Sequence, residues 1–545
     1  MKYVIWGAGY TGSKLMYNIG AEKIDFFIDS NQMKQGKFLG KDVISPRSVT
    51  DWHDLFIYVP FNFYEEIKKY LLGKDLIENK DFVKYESQFL IPHQRATIEL
   101  EKAIKELNHA KTEWNNSVLL FTSQFFQEIG CLNFVKGMMK NNLIFKIVCE
   151  AYWLEQVEIN KRLERIESVL IVPSLWEYCS FPANGHLLPD QREIFRKNPY
   201  LFEIVKQIQE IFPHADEERS LYLVYYNYSY IVDLINILNP SKIIYSSGVK
   251  PNGRLLLHIC KEKKIPVLTT HQGIIPGTLS YDIEGEMGES LPAIYSQQFL
   301  NLPVDKRDLE EARAIWSYLF KSKLNRKMQP KNFCVNTFSL KINDGPIIFF
   351  AAQNDPESHM VPYTEITRKY HSPVFHSSIE CGIFLAELCE QNGWNFIFKP
   401  HPLYVREEWK NMLPSNTVYI ESCNINDLID FADVTVTILS ATSYNALIRY
   451  KPVVMLGYTQ LRGKGCTYEA FDKDKIEDAI KAALENGFTQ EQQDEFLLHM
   501  AQCLKYYLYD DLQERPIRYG RPVPKSMDEF YELERLLKSN VPRKD

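Results

Sequence analysis

Between residues 394 and 468 short apolar runs alternate with turns and helices, a pattern that a parallel α/β sheet buries and few other architectures can. Trp394 to Phe398 reads as a buried strand running straight into Lys399-Pro400-His401-Pro402. A cation and an imidazole are thereby held on a stiff turn at the C-terminal end of a strand, where open α/β sheets bind their ligands. Val434 to Leu439 reads as the next strand, and Ser440-Ala441-Thr442-Ser443-Tyr444-Asn445 opens a helix with a hydroxyl-rich first turn. Free backbone N–H groups and a positive dipole end make such a turn receptive to an anion. Ser and Thr are also the default helix caps, but capping needs only one of the three hydroxyls. A third strand, Pro452 to Leu456, ends in Gly457, and Gly463-Lys464-Gly465 follows. The combination predicts a pocket for a phosphate-bearing nucleotide ligand.

The same alternation organises the rest of the chain. Residues 1–90 read as a Rossmann-like domain: strand Tyr3 to Trp6, glycine turn Gly7-Ala8-Gly9-Tyr10-Thr11-Gly12, a helix, and strand Ile24 to Ile28 ending at Asp29. This is the G-x-G-x-x-G pattern in its strand-turn-helix setting, with an acid at the end of the second strand. Gly7, Gly9, Gly12 and Asp29 are the candidate cofactor-binding residues. Only one mononucleotide-binding half is visible, which argues against NAD chemistry. Residues 91–116 have helical spacing and read as a connecting helix. Residues 117–330 form a first α/β lobe, residues 331–490 a second, and residues 491–545 a helical tail. The expected class is α/β throughout.

In the first lobe, strand Pro266 to Thr269 leads into His271-Gln272-Gly273 and then an acid-rich loop containing Asp282, Glu284 and Glu286. Carboxylates and an imidazole at a strand end can act as base, nucleophile or orienting group. Asp282 is the first choice, with Glu284, Glu286 and His271 behind it. In the second lobe, Gln353 and Glu357 follow strand Ile347 to Ala351 and join Lys399, His401, Ser440, Thr442, Ser443 and Asn445 as candidate substrate-binding residues.

Composition narrows the function classes. With 63 basic and 70 acidic residues the net charge is -7, which leaves no electrostatic footprint for nucleic acid. Ten cysteines lack any C-x-x-C pair and read as reduced core thiols of a cytoplasmic protein. Apolar runs stay too short to span a bilayer, so the expected location is the cytosol or the inner membrane surface. The local basic runs 321–327 and 515–525 read as solvated surface. No His, Asp or Glu cluster has metal-ligand spacing, and Asp472-Lys473-Asp474 reads as a helix start. Walker A and G-x-S-x-G patterns are absent, which weakens kinase and hydrolase readings.

The Lys399 to Pro402 element, the Ser440 to Leu447 segment with Lys451-Pro452-Val453, and Gln353-Asn354-Asp355-Pro356-Glu357 together resemble the capsule polysaccharide biosynthesis glycosyltransferases. That group includes the bacterial Kdo transferases, and the resemblance covers roughly residues 240 to 470. It implies two Rossmann-like lobes facing a cleft (GT-B), a nucleotide-sugar donor with CMP-sugar favoured, and a glycan or lipid-linked glycan acceptor. It also implies a metal-independent reaction with no required cofactor, and peripheral contact with the inner membrane or capsule assembly proteins. Asn445 stands where many GT-B enzymes carry a Glu, and His271 stands where the family has an acid; both depart from its pattern. The CDP-glycerol phosphotransferases look similar over the same strand, turn and Lys-Pro stretch. A non-catalytic nucleotide-binding scaffold of capsule assembly is the third reading.

Overall fold

The computed structural model describes residues 1–85, 117–123, 129–151, 169–173, 187–326 and 343–539, apart from positions 10, 11, 13, 14, 17, 18, 32, 33, 39, 61–63, 142, 144, 212–215 and 247. The connecting helix expected at 91–116 lies outside the described residues. The chain divides into two compact units. One comprises residues 1–126, 146–196 and 217–241, and the other residues 127–145, 197–216 and 242–545.

The first unit opens with β1 Lys2–Trp6, β2 Phe26–Ile28, β3 Gly36–Phe38, β4 Lys41–Ile44, β5 Leu55–Pro60 and β6 Phe82–Tyr85, in the order β3-β4-β2-β1-β5-β6. All neighbours are parallel except the β3–β4 edge pair. Alternate residues of β1 bury on opposite faces, Val4 and Trp6 in one apolar cluster and Ile5 in the other, as a central strand covered on both sides requires. The sequence reading saw one mononucleotide half; the sheet grows on both sides of β1, so a second half exists and is shortened to two strands. Further along, the unit contains β7 Val118–Ser123, β8 Phe145–Ala151 and β9 Val169–Pro173, with β8 and β9 parallel.

At the glycine turn, Gly7 adopts φ 116° and donates its N–H to Ile28 at 2.7 Å. A Cβ on Gly12 would stand 1.9 Å from the Gly7 carbonyl oxygen, so only glycine lets the helix start pack on the strand. Asp29 accepts from the N–H groups of Ala8 at 2.9 Å and Asn31 at 2.8 Å and pairs with Lys34 at 3.6 Å. Its oxygens are therefore engaged with its own turn.

The second unit holds two sheets. In one, β10 Lys242–Ser246 and β11 Val267–Gln272 are parallel, and β12 Thr278–Asp282 turns back antiparallel on β11. The segment carrying Asp282, read as loop from its glycines and acids, is thus half strand. In the other sheet, β13 Ile347–Ala351, β14 Asn395–Lys399, β15 Thr417–Tyr419, β16 Val434–Thr437, β17 Val453–Met455 and β18 Tyr468–Glu469 are all parallel, in the order β15-β14-β13-β16-β17-β18. Numbered within the sheet this is 3-2-1-4-5-6, the doubly wound order whose ligand crevice opens where the winding reverses, between β13 and β16.

Among the helices that wrap this sheet are α1 Lys306–Ser322, α2 Ser378–Asn392, α3 Thr442–Ile448 and α4 Gln490–Gln502. Helix α2 starts where Ser377 accepts from the Glu380 N–H and stops at Gly393, left-handed at φ 68°, a hydroxyl start and a glycine stop. It buries Cys381, Leu385, Ala386 and Cys389 against one face of the sheet. Helices α1 and α4 cover the other face, where Trp316 donates its indole N–H to the Ile448 carbonyl at 2.8 Å. Six described cysteines are buried and unbridged.

The tail is not simply helical. After α4 the chain enters β19 Leu508–Asp510, which pairs antiparallel with β12. Beyond it, the Tyr519 hydroxyl donates to the Pro276 carbonyl at 2.6 Å and the Asp511 N–H donates to Gly277 at 3.2 Å. Arg515 and Arg518, read as solvated surface, pair with Asp510, and Arg515 also with Asp511. Among the described residues no helix is long and apolar enough to cross a membrane.

Because a methyl group at position 12 would collide with the Gly7 backbone, Gly12→Ala is expected to destabilise the N-terminal sheet by about 1–3 kcal/mol, the usual cost of overpacking. Denaturant unfolding followed by the Trp6 and Trp52 fluorescence checks this, and an unchanged midpoint refutes it.

Candidate functional site

Within the second unit the C-terminal ends of β10 and β11 face the C-terminal end of β13. Gln207 stitches them: its side-chain amide donates to the Val249 carbonyl at 2.9 Å and the Pro356 carbonyl at 2.6 Å. Lys250 and Glu357 pair across the same gap at 3.7 Å. Loops from two sheets thereby converge, with Gly248, His271 and residues 282–290 on one side and residues 353–359 on the other.

On the parallel sheet, Ala351 is level with Lys399 on one neighbour and with Thr437 on the other. Residues in register on parallel strands present their side chains to the same face, so a lysine, an alanine and a threonine lie in one row. Nothing larger than a methyl group stands between the outer two. Lys399 is 6% exposed, and its ammonium makes one hydrogen bond, to the Pro400 carbonyl at 3.3 Å. Among the described residues no carboxylate pairs with it, and burial lowers its pKa. The Gln353 side-chain N–H₂ and the Thr437 hydroxyl are buried without a hydrogen-bond partner. Unsatisfied buried donors cost a fold stability, and here two lie on the strand ends at the winding reversal, with a buried ammonium that has a single hydrogen bond.

His401 receives the Leu403 N–H on Nδ1 at 3.2 Å, which puts its proton on Nε2. The hydroxyls of α3 are partly used by the turn itself. Ser440 Oγ donates to Thr442 Oγ1 at 2.9 Å and accepts from the Thr442 N–H, while Ser443 Oγ donates back to the Ser440 carbonyl at 2.8 Å. Capping thus absorbs Ser440 and Ser443, and of the three only the Thr442 O–H is not spent inside the turn. Asn445 donates to the Asn325 side chain at 2.9 Å, reaching the segment that ends at Arg326. Lys464, in the Gly463-Lys464-Gly465 loop expected near the nucleotide, turns elsewhere: it donates to the Pro292 carbonyl at 2.9 Å and Ser296 Oγ at 2.7 Å.

The acids after His271 separate by environment. Asp282 is 2% exposed, with Oδ1 accepting from the N–H groups of Glu284 at 2.9 Å and Gly285 at 3.3 Å and Oδ2 from Leu291 at 2.9 Å. The carboxylate thus serves as the folding centre of the 283–291 loop, and both oxygens are engaged. Glu284 is exposed. Glu286 is buried; Oε1 accepts from the Gly248 N–H at 2.9 Å, and Oε2 has no hydrogen-bond partner but lies 3.7 Å from His271 Nε2. Arg326 sits 2.9 Å from His271 Nδ1. The Gln272 carbonyl also lies 2.9 Å from Nδ1, so Nδ1 faces both a donor and an acceptor while Nε2 faces Glu286. Burial pushes the Glu286 carboxyl up to about 7, against the lowering influence of the Gly248 N–H and the Arg326 charge. The geometry therefore pairs His271 with Glu286 and leaves Asp282 and Glu284 outside that pair.

Glu357 accepts from Asn354 Nδ2 at 3.1 Å besides pairing with Lys250. Its neighbour Asp355, not singled out in the sequence, accepts from the N–H and hydroxyl of Ser378, and burial raises it to about 7. Sequence spacing also missed Glu289, His359 and His371, which converge from three separate segments. The Gly7, Gly9, Gly12 and Asp29 turn belongs to the other unit.

No family model matches this chain, and no curated protein does. Among solved structures it is similar to a Thermosulfurimonas dismutans KpsC, a beta Kdo 2,7 transferase, at 18% identity and TM-score 0.31 over 55% of this chain and 86% of that one. A beta Kdo 2,4 transferase KpsC from the same organism is similar at 14% identity and TM-score 0.35, over 55% and 87% of the two chains. UDP-GlcNAc 2-epimerase from Neisseria meningitidis is similar at 13% identity and TM-score 0.27, over 70% and 93%.

Glu286 ionises near its ordinary value of 4.5 when unfolded but at about 7 when folded. Between those values the folded chain holds a proton that the unfolded chain has released, so the stability this group contributes is complete below pH about 4.5 and is lost as pH rises through about 7. Asp282, raised to about 6, and Asp355 add the same sign. Glu286→Gln is expected to flatten this fall in part, as read by urea midpoints across that pH window; an identical slope in the variant refutes the buried carboxyl's role.

Proposed function

We propose that this chain is a glycosyltransferase that moves a sugar from a nucleotide donor to a cell-surface polysaccharide or its lipid-linked precursor, with a CMP-linked ulosonic acid as the favoured donor. The reading is carried by the buried Lys399, which has no carboxylate partner among the described residues and is level with Ala351, two residues before the unsatisfied amide of Gln353, at the winding reversal of a 3-2-1-4-5-6 sheet. A phosphate supplies the charge and the acceptor oxygens that this row lacks. In this reading Lys399, Nε2–H of His401 and the Thr442 hydroxyl receive the donor phosphates, so the developing negative charge of the leaving nucleotide meets fixed donors and needs no metal ion there.

Glu286 is the base in this proposal. Its raised pKa places it near neutrality, the range in which a carboxylate both binds and releases a proton readily. It would take the proton of the acceptor hydroxyl as that oxygen attacks the anomeric carbon, while the His271 ring lies against the unpartnered carboxylate oxygen, 3.7 Å away through Nε2. Asp282 holds the loop in shape. The N-terminal sheet, whose Asp29 is engaged with its own glycine turn, serves as a docking module rather than a redox domain, in the cytosol or at the inner membrane surface. A CDP-alditol phosphotransferase would use the same Lys399-Pro400-His401-Pro402 turn, and product analysis separates the two. The sugar transferase joins the bare sugar to the acceptor and leaves every phosphate on the released nucleotide, whereas the phosphotransferase passes one phosphate with its alditol to the acceptor and releases CMP.

Thermal shifts against CMP-, CDP-, UDP- and GDP-linked compounds identify the donor, since a ligand at a hundredfold its dissociation constant stabilises by about 2.7 kcal/mol. Lys399→Met keeps the volume and removes the buried charge, so it should fold at least as stably as the natural chain while losing about tenfold or more in donor affinity. Glu286→Gln should lower turnover by about a hundredfold or more with donor affinity kept, and Asp282→Asn should chiefly lower stability. Undiminished donor binding in Lys399→Met, or undiminished turnover in Glu286→Gln, sinks the assignment.

A further inference from the structure

The residues that follow α1 tie the two sheets of the second unit together. Lys323 closes the helix in a left-handed conformation, φ 52°. Its carbonyl accepts from Asn426 Nδ2 at 3.2 Å, and its ammonium meets Asp427 at 3.3 Å. Asn325 Oδ1 then accepts from Asn445 Nδ2 at 2.9 Å, which fixes the chain against the first turn of α3, the turn that carries Thr442. Arg326 crosses to the other sheet. Its Nη2 donates to the Gln272 carbonyl at 3.0 Å and lies 2.9 Å from His271 Nδ1. One short strap, 323–326, therefore runs from the turn assigned to the donor phosphates to the ring beside Glu286.

At the far end of that strap a permanent positive charge faces a buried acid. Glu286 has the Gly248 N–H on one oxygen and His271 Nε2 3.7 Å from the other. Burial opposes its ionisation most, and the carboxylates of Glu289 and Asp282, on the same stretch of chain, oppose it further. Against these stand the Gly248 N–H and the Arg326 guanidinium, and a guanidinium keeps its charge at any pH the protein meets. The other charged groups nearby are turned aside: Lys250 pairs with Glu357 at 3.7 Å, and His371 with Glu289 at 3.0 Å. A base must shed its own proton before it can take one from an acceptor hydroxyl. A carboxyl buried among other carboxyls sheds it near neutrality only with a cation at hand.

We infer that Arg326 is a positioning residue for the transfer: held to the donor turn by Asn325, it fixes the end of β11 and keeps Glu286 in its proton-accepting form. The inference rests on the reading of Glu286 as the base. Arg326 makes and breaks no bond in the reaction; it acts through Glu286 and the His271 ring. Asn445 gains a task as well, since its side-chain N–H₂ clips the strap in place and sets where the guanidinium can reach.

The test needs no substrate at first. Urea midpoints across pH about 4 to about 9 read where the stability contributed by Glu286 stops falling, which in the natural chain is where the folded carboxyl gives up its proton, near 7. In Arg326→Gln the folded carboxyl should hold that proton longer, so the fall should end about one pH unit higher. Arg326→Lys keeps the charge and should end near the natural point. With Glu286→Gln also present, Arg326→Gln should leave the shape of the curve unchanged. Release of CMP from a CMP-linked ulosonic acid then probes turnover: in Arg326→Gln the acid limb of kcat/KM should move up in the same way, with affinity for CMP kept. The same end point in the natural chain and Arg326→Gln overturns the inference. So does a loss of CMP affinity in Arg326→Gln as large as its loss of turnover, which would make the residue a ligand contact. A shifted end point together with undiminished turnover in Glu286→Gln sinks the base reading instead, and leaves the hold of Arg326 on Glu286 standing.

Discussion

Two sheets meet in the second unit by the C-terminal ends of their strands, and one buried amide bridges them. Gln207 donates to carbonyls of both the 249 and the 356 loops, and at least one of these two bonds would break if the sheets drew apart. Arg254 keeps that amide in place: it reaches Gln207 Oε1 at 3.4 Å while its own charge is met by Glu203 at 2.9 Å. Helix dipoles and strand ends already converge on such a crevice in any doubly wound sheet. What this contact adds is a fixed separation, and with it the nearness of Glu286 to the loop after β13.

Local features were legible in the sequence. The run into Lys399-Pro400-His401 announced a strand end because a cation after an apolar run and before proline has few other places to sit. The glycine turn at 7–12 was equally plain, since steric demand at Gly12 is a property of that turn alone. The second mononucleotide half was less plain: the run Leu55 to Val59 reads as a strand, but β6 has only 4 residues, and 86–116, where the pattern changes, lies outside the described residues.

Long-range features were hidden. Asp282 looked the better base because it follows a turn, but its carboxylate folds back on three N–H groups of its own loop, a wrap no spacing rule encodes. Glu286 gains its environment from Gly248, Arg326 and His271, which lie on three separate segments. The hydroxyls of 440–443 signalled phosphate by number, yet two of the three satisfy the turn that bears them. Lys464 between two glycines looked poised for a ligand and instead locks residues 292–296. In each case the sequence supplied the functional group, and the packing decided whether that group was already engaged.

The pairing of β19 with β12 carries a consequence for how the protein comes into being. Strand β12 leads directly into Asp282 and the loop bearing Glu286, yet its outer edge is satisfied only by Leu508–Asp510, and the turn before it is clamped by Tyr519. During synthesis these partners leave the ribosome long after β12, so that edge stays bare, exposed to pairing with other chains, while the residues from 283 to 507 are made. A nascent chain that holds the loop but not yet Leu508–Asp510 remains a sheet with an open border.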